Sequence, residues 1–353
     1  MQKLYPLKFE AIYKEKIWGG KKLKKEFLRK IPSSKTGESW EITDNESGVS
    51  IVKNGKLSGK TLNELIKTYG KKLLGSNLPE TENFPLLIKF IDANKKLSVQ
   101  VHPSDEFAKN TNGKTEMWYV LAADNNSKLV YGLDTEVSNQ KLKKATINGN
   151  LSPYLKEIEV NAGDFFFIPG GTVHAIEEGI LLAEIQQNSD ITYRLYDWDR
   201  TDEKGNSRPL HIEKAFEVIN SSNQKNRNPK TSENIIYKNS NYKQKFLTIS
   251  PYFTVEHISL KKNFSFNKDF ERFYIIINLN KKLKLRANNK DYTLIPGETI
   301  LLPASLNNIE IKGKGEFLKS YIPKNLNEMK DYFKKLGISP NKIYKIPGTN
   351  LFK

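Results

Sequence analysis

The chain has 353 residues, no cysteine, four histidines and a formal net charge of +17 at pH 7. Its length predicts a substantial core and two domains, and without thiols it excludes disulfides, thiolate zinc sites and iron–sulfur clusters, so any metal must be held by nitrogen and oxygen. The positive charge is mostly Lys scattered along the whole chain, which reads as a bias in residue usage or provision for an anionic small molecule, and not as a nucleic-acid surface.

In chain order, Tyr5 to Tyr13 reads as an extended strand, Gly19-Gly20 as a turn and Lys21 to Lys30 as a short basic helix. Gly37 to Ile42 alternates like a strand, with Glu38, Trp40 and Ile42 on one face. Thr61 and Glu64 form a capping box whose helix is expected to end at Gly75. The apolar run Phe84 to Ile91 predicts a buried strand. From Leu97 to Asp197 short strands follow one another, at 116–121, 128–131, 154–160, 164–168, 172–176 and 181–186, between Gly, Asn, Asp or Pro turns. That spacing predicts a sandwich or barrel of antiparallel strands. An amphipathic helix at 210–219 and a polar linker at 221–234 follow. Strands are expected again at 253–260, 273–279, 282–286, 292–295 and 299–302, then a helix from Leu326 to Leu336 ended by Gly337. The division expected is 1–230, 231–323 and a closing helix and basic tail at 324–353. No stretch nears the roughly 20 apolar residues of a membrane span, and no apolar run of signal-peptide length follows Met1, so a cytoplasmic protein without membrane contact is expected.

The segment Gly163-Asp164-Phe165-Phe166-Phe167-Ile168-Pro169-Gly170-Gly171-Thr172-Val173-His174 has the spacing G, five residues, P, one residue, G, two residues, H. It resembles the second signature of the cupin jelly rolls: a Gly turn leads into a strand, Pro-Gly-Gly turns out of it, and His174 points inward from the next strand. Gly297 to Pro303 keeps the first half of that spacing, but Ser305 stands where the second Gly would be and Asn308 where the His would be. The fold class expected is therefore mainly β: two cupin-type jelly-roll sandwiches with a few short helices, and a metal site in the first only.

In Leu97-Ser98-Val99-Gln100-Val101-His102-Pro103, Ser98, Gln100 and His102 leave one face of a strand where apolar side chains would normally go, a loss of burial unless they find partners. His174 adds a second imidazole, and Glu116 opens the following strand. Gln100, His102, Glu116 and His174 together offer two nitrogens and two oxygens, a set suited to a divalent ion such as zinc. Ser98 is a candidate for hydrogen-bonding a substrate, and Trp18 for lining the pocket.

Several of these segments together carry a strong resemblance to the type I mannose-6-phosphate isomerases, in particular the short bacterial form. They are Trp18-Gly19-Gly20; Gly37 to Glu41; Leu97 to Pro103; Gly113 to Tyr119; Gly163 to His174; and Tyr193 to Arg200. The resemblance implies one zinc ion held by Gln100, His102, Glu116 and His174, a catalytic Arg194, a site lysine at Lys114 and a carboxylate at Glu184. It also implies a phosphorylated hexose as substrate; a monomer or weak homodimer is expected. Larger members carry Pro where this chain has Thr115, and an inserted helical domain that is missing here. Isomerisation of an aldose to a ketose moves a proton between C1 and C2 through an enediol; Lys114 and Glu184 are rival carriers of that proton, and the sequence does not choose between them. An iron-dependent oxygenase and a non-catalytic sugar-binding or regulatory protein stand as alternatives on the same scaffold.

Overall fold

The computed structural model describes residues 2–79, 83–108, 112–133, 137–201, 204–220, 235–266 and 270–352. The chain divides into two compact units. One is Ile12–Trp40 with Leu86–Lys230; the other is Met1–Ala11, Glu41–Pro85 and Thr231–Lys353. The second unit thus takes in two N-terminal segments that a linear division at residue 230 gives to the first. The stretch 221–234, read as a linker, lies outside the described residues.

The first unit is a sandwich. Its strands are β1 (Ile12–Gly20), β2 (Thr36–Ile42), β3 (Leu86–Ala93), β4 (Val99–Val101), β5 (Glu116–Ala123), β6 (Lys128–Leu133), β7 (Leu155–Glu159), β8 (Phe165–Ile168), β9 (His174–Ile176), β10 (Ile180–Gln187) and β11 (Tyr193–Tyr196). One sheet runs β1-β2-β3-β10-β5-β8 and the other β11-β4-β9-β6-β7; the recorded pairings are antiparallel. The core lies between the sheets, where Ile91, Trp118, Val120, Phe166 and Leu182 meet Leu129, Tyr131 and Ile176. The outer face of the shorter sheet carries Val99, Val101, Val130 and Ala175, covered by Leu142 of the helix Asn139–Ile147 and by Ala215 and Val218 of the helix Ile212–Val218. Burying Val99 and Val101 outward is what turns Ser98, Gln100 and His102 inward.

The second unit repeats the plan with β12 (Ile235–Lys238), β13 (Tyr242–Ile249), β14 (Thr254–Leu260), β15 (Asn263–Phe266), β16 (Tyr274–Asn278), β17 (Leu283–Ala287), β18 (Lys290–Leu294), β19 (Thr299–Leu302), β20 (Ile309–Lys312) and β21 (Gly315–Tyr321). Its sheets run β12-β13-β14-β21-β16-β19 and β15-β20-β17-β18. Gly163 and Gly297 both have positive φ, at 92° and 73°, so the same left-handed turn leads into β8 and β19. Ile168 pairs with Glu116 in the first unit and Leu302 with Tyr274 in the second, which puts Tyr274 at the place of Glu116. The ammonium of Lys319 is ringed by Phe264, Phe266, Tyr274, Tyr321 and Tyr332 at 5.1–5.8 Å from their centroids. The helix Leu326–Lys335 packs Met329 and Phe333 on Phe246, Ile249 and Tyr321.

The structure bears out the mainly β, twofold repeated architecture and refines several elements. The strand expected at 5–13 begins only at Ile12 and runs through Gly19-Gly20, with single bridges at Leu7 and Phe9. The capping box at Thr61 forms in both directions, with Glu64 N–H donating to Thr61 Oγ1 at 3.2 Å and Thr61 N–H to Glu64 Oε2 at 2.8 Å. Its helix stops at Tyr69, because Gly70 takes a φ of 45°, and resumes at Lys71–Leu74. The helix Asn139–Ile147 was not anticipated: its run of Lys and Asn carries only Leu142 and Thr146 into the core.

Candidate active site and metal centre

Gln100, His174 and Arg194 share one rung of the shorter sheet: Gln100 on β4 is directly opposite His174 on β9 and, on its other side, Arg194 on β11. Glu116 reaches the same place from the facing sheet, and His102 follows β4 by one residue. Gly171, at φ 85°, donates its N–H to the His102 carbonyl at 2.7 Å and so ties the Pro-Gly-Gly turn to that residue. A side chain at Gly171 would also meet Asn220 and Val218 at 2.8–2.9 Å.

Ligand atoms, one each from His102, Glu116 and His174, lie within 4.8 Å of one another, the one such group of three His or acidic side chains among the described residues. All three are buried, at 1%, 0% and 0% exposure. His102 Nδ1 lies 2.8 Å from the carbonyl of Ile191 and His174 Nδ1 2.9 Å from that of Thr172. A carbonyl only accepts, so each Nδ1 carries its proton and each Nε2 turns a lone pair toward Glu116. Burial drives His102 well below the ordinary imidazole range and His174 down to about 3, which keeps both rings neutral. Glu116 Oε1 stands 3.3 Å from His174 Nε2 and Oε2 3.5 Å from His102 Nε2, and neither oxygen accepts a hydrogen bond. Burial, with the nearby Glu184 carboxylate adding to it, pushes the Glu116 carboxyl up to about 8. Burial thus holds the Glu116 carboxyl back from ionising beside two imidazole lone pairs, and a divalent cation among them would relieve that cost. These residues therefore fit a divalent cation, and Gln100, whose Nε2 donates to His174 Nε2 at 3.3 Å, stands beside them and would offer its oxygen with the amide turned over.

A cation of the protein's own already leans on this group: Lys114 Nζ lies 3.0 Å from His102 Nε2 and 3.5 Å from Glu116 Oε2, and is 5% exposed. Arg194 is half-buried and held by Ser98 Oγ at 3.2 Å and the Pro209 carbonyl at 2.8 Å. Burial, then Arg208, lowers its guanidinium from the ordinary value. Ser98, expected to meet a substrate, thus accepts a hydrogen bond from Arg194. Glu184 accepts from the Trp118 indole N–H at 3.1 Å and pairs with Lys89 at 3.3 Å. Trp18, 4% exposed, lines the same cavity.

The cavity also gathers residues that the sequence reading did not single out. Lys16, Lys89 and Arg208 add to Lys114 and Arg194; Glu38 and Asp190 add to Glu184. Burial opposes the charge on Lys89, but Glu184, Glu38, Asp190 and Glu116 outweigh it and raise its pKa. Arg208 is clamped by Asp197 through two bonds of 2.8 and 2.6 Å. A lysine in the otherwise apolar run 84–91 was a visible signal; Arg208 carried none.

Comparison with known proteins decides the family. Residues 6–133 match the description "Phosphomannose isomerase type I, catalytic domain" and residues 242–322 "Mannose-6-phosphate isomerase, cupin domain". The chain is 37% identical over 327 residues to a probable mannose-6-phosphate isomerase of Bacillus subtilis, covering 90% of this chain and 99% of the relative. The chain belongs to the type I mannose-6-phosphate isomerase family. A mannose-6-phosphate isomerase of Streptococcus mutans is 36% identical over 319 residues, covering 90% of this chain and 98% of the relative. The crystal structure of the Bacillus subtilis mannose 6-phosphate isomerase superposes with a TM-score of 0.82 at 33% identity, covering 90% of this chain and 99% of that one. Membership makes the chain an enzyme, an isomerase, with a buried His/Glu/His group able to hold a metal. No helix among the described residues is long and apolar enough to cross a membrane.

Proposed function

We propose that this isomerase interconverts mannose 6-phosphate and fructose 6-phosphate through an enediol, with one zinc ion held by Gln100, His102, Glu116 and His174. The reading is carried by the buried Glu116 carboxyl set between the Nε2 atoms of His102 and His174, with Arg194 on the same rung as His174. A bound divalent ion would supply Lewis-acid stabilisation of negative charge developing on the sugar oxygens.

The chain's own groups do the rest. Arg194 keeps its charge at any working pH and, fixed by Ser98 and Pro209, complements charge developing on O1 and O2 without having to reorganise. Lys114 and Glu184, both on the cavity wall, are the rival candidates to carry a proton between C1 and C2. Lys16, Lys89, Lys114, Arg194 and Arg208 outnumber Glu38, Glu184 and Asp190 on the lining, a balance that suits a phosphorylated sugar. Trp18 and Trp118 give the cavity an aromatic wall.

The test is conversion of mannose 6-phosphate followed in a coupled assay, with metal content measured on the same samples. Zinc-loaded protein is expected to turn over, chelated protein to lose turnover, and zinc to restore it. Zinc-replete protein without conversion, or full turnover after the metal is removed, refutes the proposal.

A further inference from the structure

Both sandwiches carry a buried Lys–Glu pair at the same rung, with the charges exchanged. In the first, Lys89 on β3 is directly opposite Glu184 on β10, and Glu184 is opposite Trp118 on β5. In the second, Glu256 on β14 is opposite Lys319 on β21, and Lys319 is opposite Ile276 on β16. These strands hold the third, fourth and fifth places of their sheets in both units. Trp118 and Ile276 each stand two residues into their strand. The two pairs are nearly dry, at 6% and 4% exposure in the first and 5% and 0% in the second.

The second sandwich has Tyr274 where Glu116 stands and Asn308 at the spacing of His174, so its pair serves no metal chemistry. A buried cross-strand pair at this rung is part of the scaffold. The carboxylate comes from either strand, as mutual neutralisation allows and a fixed proton-transfer geometry does not.

What differs between the sandwiches is the third side chain of the rung. Trp118 donates its indole N–H to Glu184 Oε2 at 3.1 Å, a bond that Ile276 has no group to make. The Trp118 ring stands edge-on to the imidazole of His174, with centroids 5.3 Å apart and planes at 82°. Contacts thus run from Lys89 Nζ through Glu184 and Trp118 to a side chain of the metal centre.

We propose that Glu184 is a positioning residue: Lys89 clamps it, it fixes the Trp118 indole, and the indole in turn holds the His174 ring, so that Glu184 is not the group that moves the proton. The last clause rests on the isomerase reading above; the rest does not.

The test compares Glu184→Leu and the double variant Lys89→Met/Glu184→Gln with the unaltered chain. Zinc affinity is read by chelator competition and turnover of mannose 6-phosphate at saturating zinc. Leu deletes the acceptor, and zinc affinity is expected to fall about 10–100-fold. The double variant leaves no lone buried charge and keeps an acceptor for the indole, so it guards against misfolding; it is expected to lose about 10-fold in turnover. Zinc affinity unchanged in Glu184→Leu overturns the proposal. So does a double variant that binds zinc like the parent yet loses about 10³-fold in turnover, the loss that removal of a general base produces. Failure of the isomerase reading looks different: the unaltered zinc-loaded chain fails to turn over, while Glu184→Leu still weakens zinc binding and supports the positioning role.

Discussion

Removing the Lys319 ammonium should be among the most damaging single changes available in the unit that does not carry the active site. Lys319 Nζ lies 2.8 Å from Glu256 Oε2, with the two side chains 5% and 0% exposed. Glu256 also accepts from Tyr321 Oη and from Gln244 Nε2, each at 2.8 Å. Burial and the Glu256 charge raise both the Tyr321 and Tyr332 hydroxyls well above the ordinary phenol range, so they stay donors. Lys319→Met leaves Glu256 buried beside them without its counter-charge, a loss of about 3–5 kcal/mol. The surrounding rings add about 1 kcal/mol of lost cation–π attraction. At about 2–4 °C per kcal/mol for a unit of this size, the melting temperature should fall by roughly 8–24 °C. Lys319→Met/Glu256→Gln removes both charges and keeps the hydrogen bonds, and should recover most of the loss. Urea denaturation of the three proteins checks this, with turnover at 25 °C unchanged as the control. A single variant within 1 kcal/mol of the parent, or a double variant less stable than the single, refutes the reasoning.

Three further outcomes follow from the geometry. Arg194→Ala should lower kcat by about 10²–10³ while metal content matches that of the parent, since the guanidinium is bonded to Ser98 and Pro209 and not to the imidazoles or Glu116; metal analysis beside the coupled assay checks both halves. Asp92 is fully buried, accepts from the Leu23 N–H at 3.2 Å, and is raised to about 6 by burial from an ordinary 3.8. Its folded pKa is the higher one, so its contribution is complete below pH 3.8 and is lost as pH rises through about 6. Asp92→Asn should therefore gain about 2 kcal/mol on the parent between those limits, screening included, and equal stability gaps at pH 4 and pH 7 would contradict this. Thr61→Ala, which deletes one half of the capping box, should cost about 1 kcal/mol in urea denaturation.

Much of the fold was legible because its signals are local. Strand alternation, Gly and Pro turns, the Thr61 box and the Gly163-to-His174 spacing each involve neighbours within a dozen residues, so side-chain direction follows from the pleat alone. The same holds for Ser98, Gln100 and His102, sent inward because Val99 and Val101 bury outward. Failures were equally physical. The strand Ile12–Gly20 was misplaced because a bulged pairing with β2 absorbs glycines that read as a turn.

The sequence by itself determined which residue types could hold a cation, that they fall within the spacings of a twofold repeat, and that one half of the repeat had lost its histidine. Only the tertiary structure decided what stands opposite them. Pairing across strands is set by register between segments tens to a hundred residues apart, and no local pattern encodes it. That is why Lys89 appears beside Glu184, Arg194 beside Gln100, and Lys319 beside Glu256 only after folding. It is also why Glu184, which looked in the sequence like a rival base, turns out to sit between an ammonium and an indole.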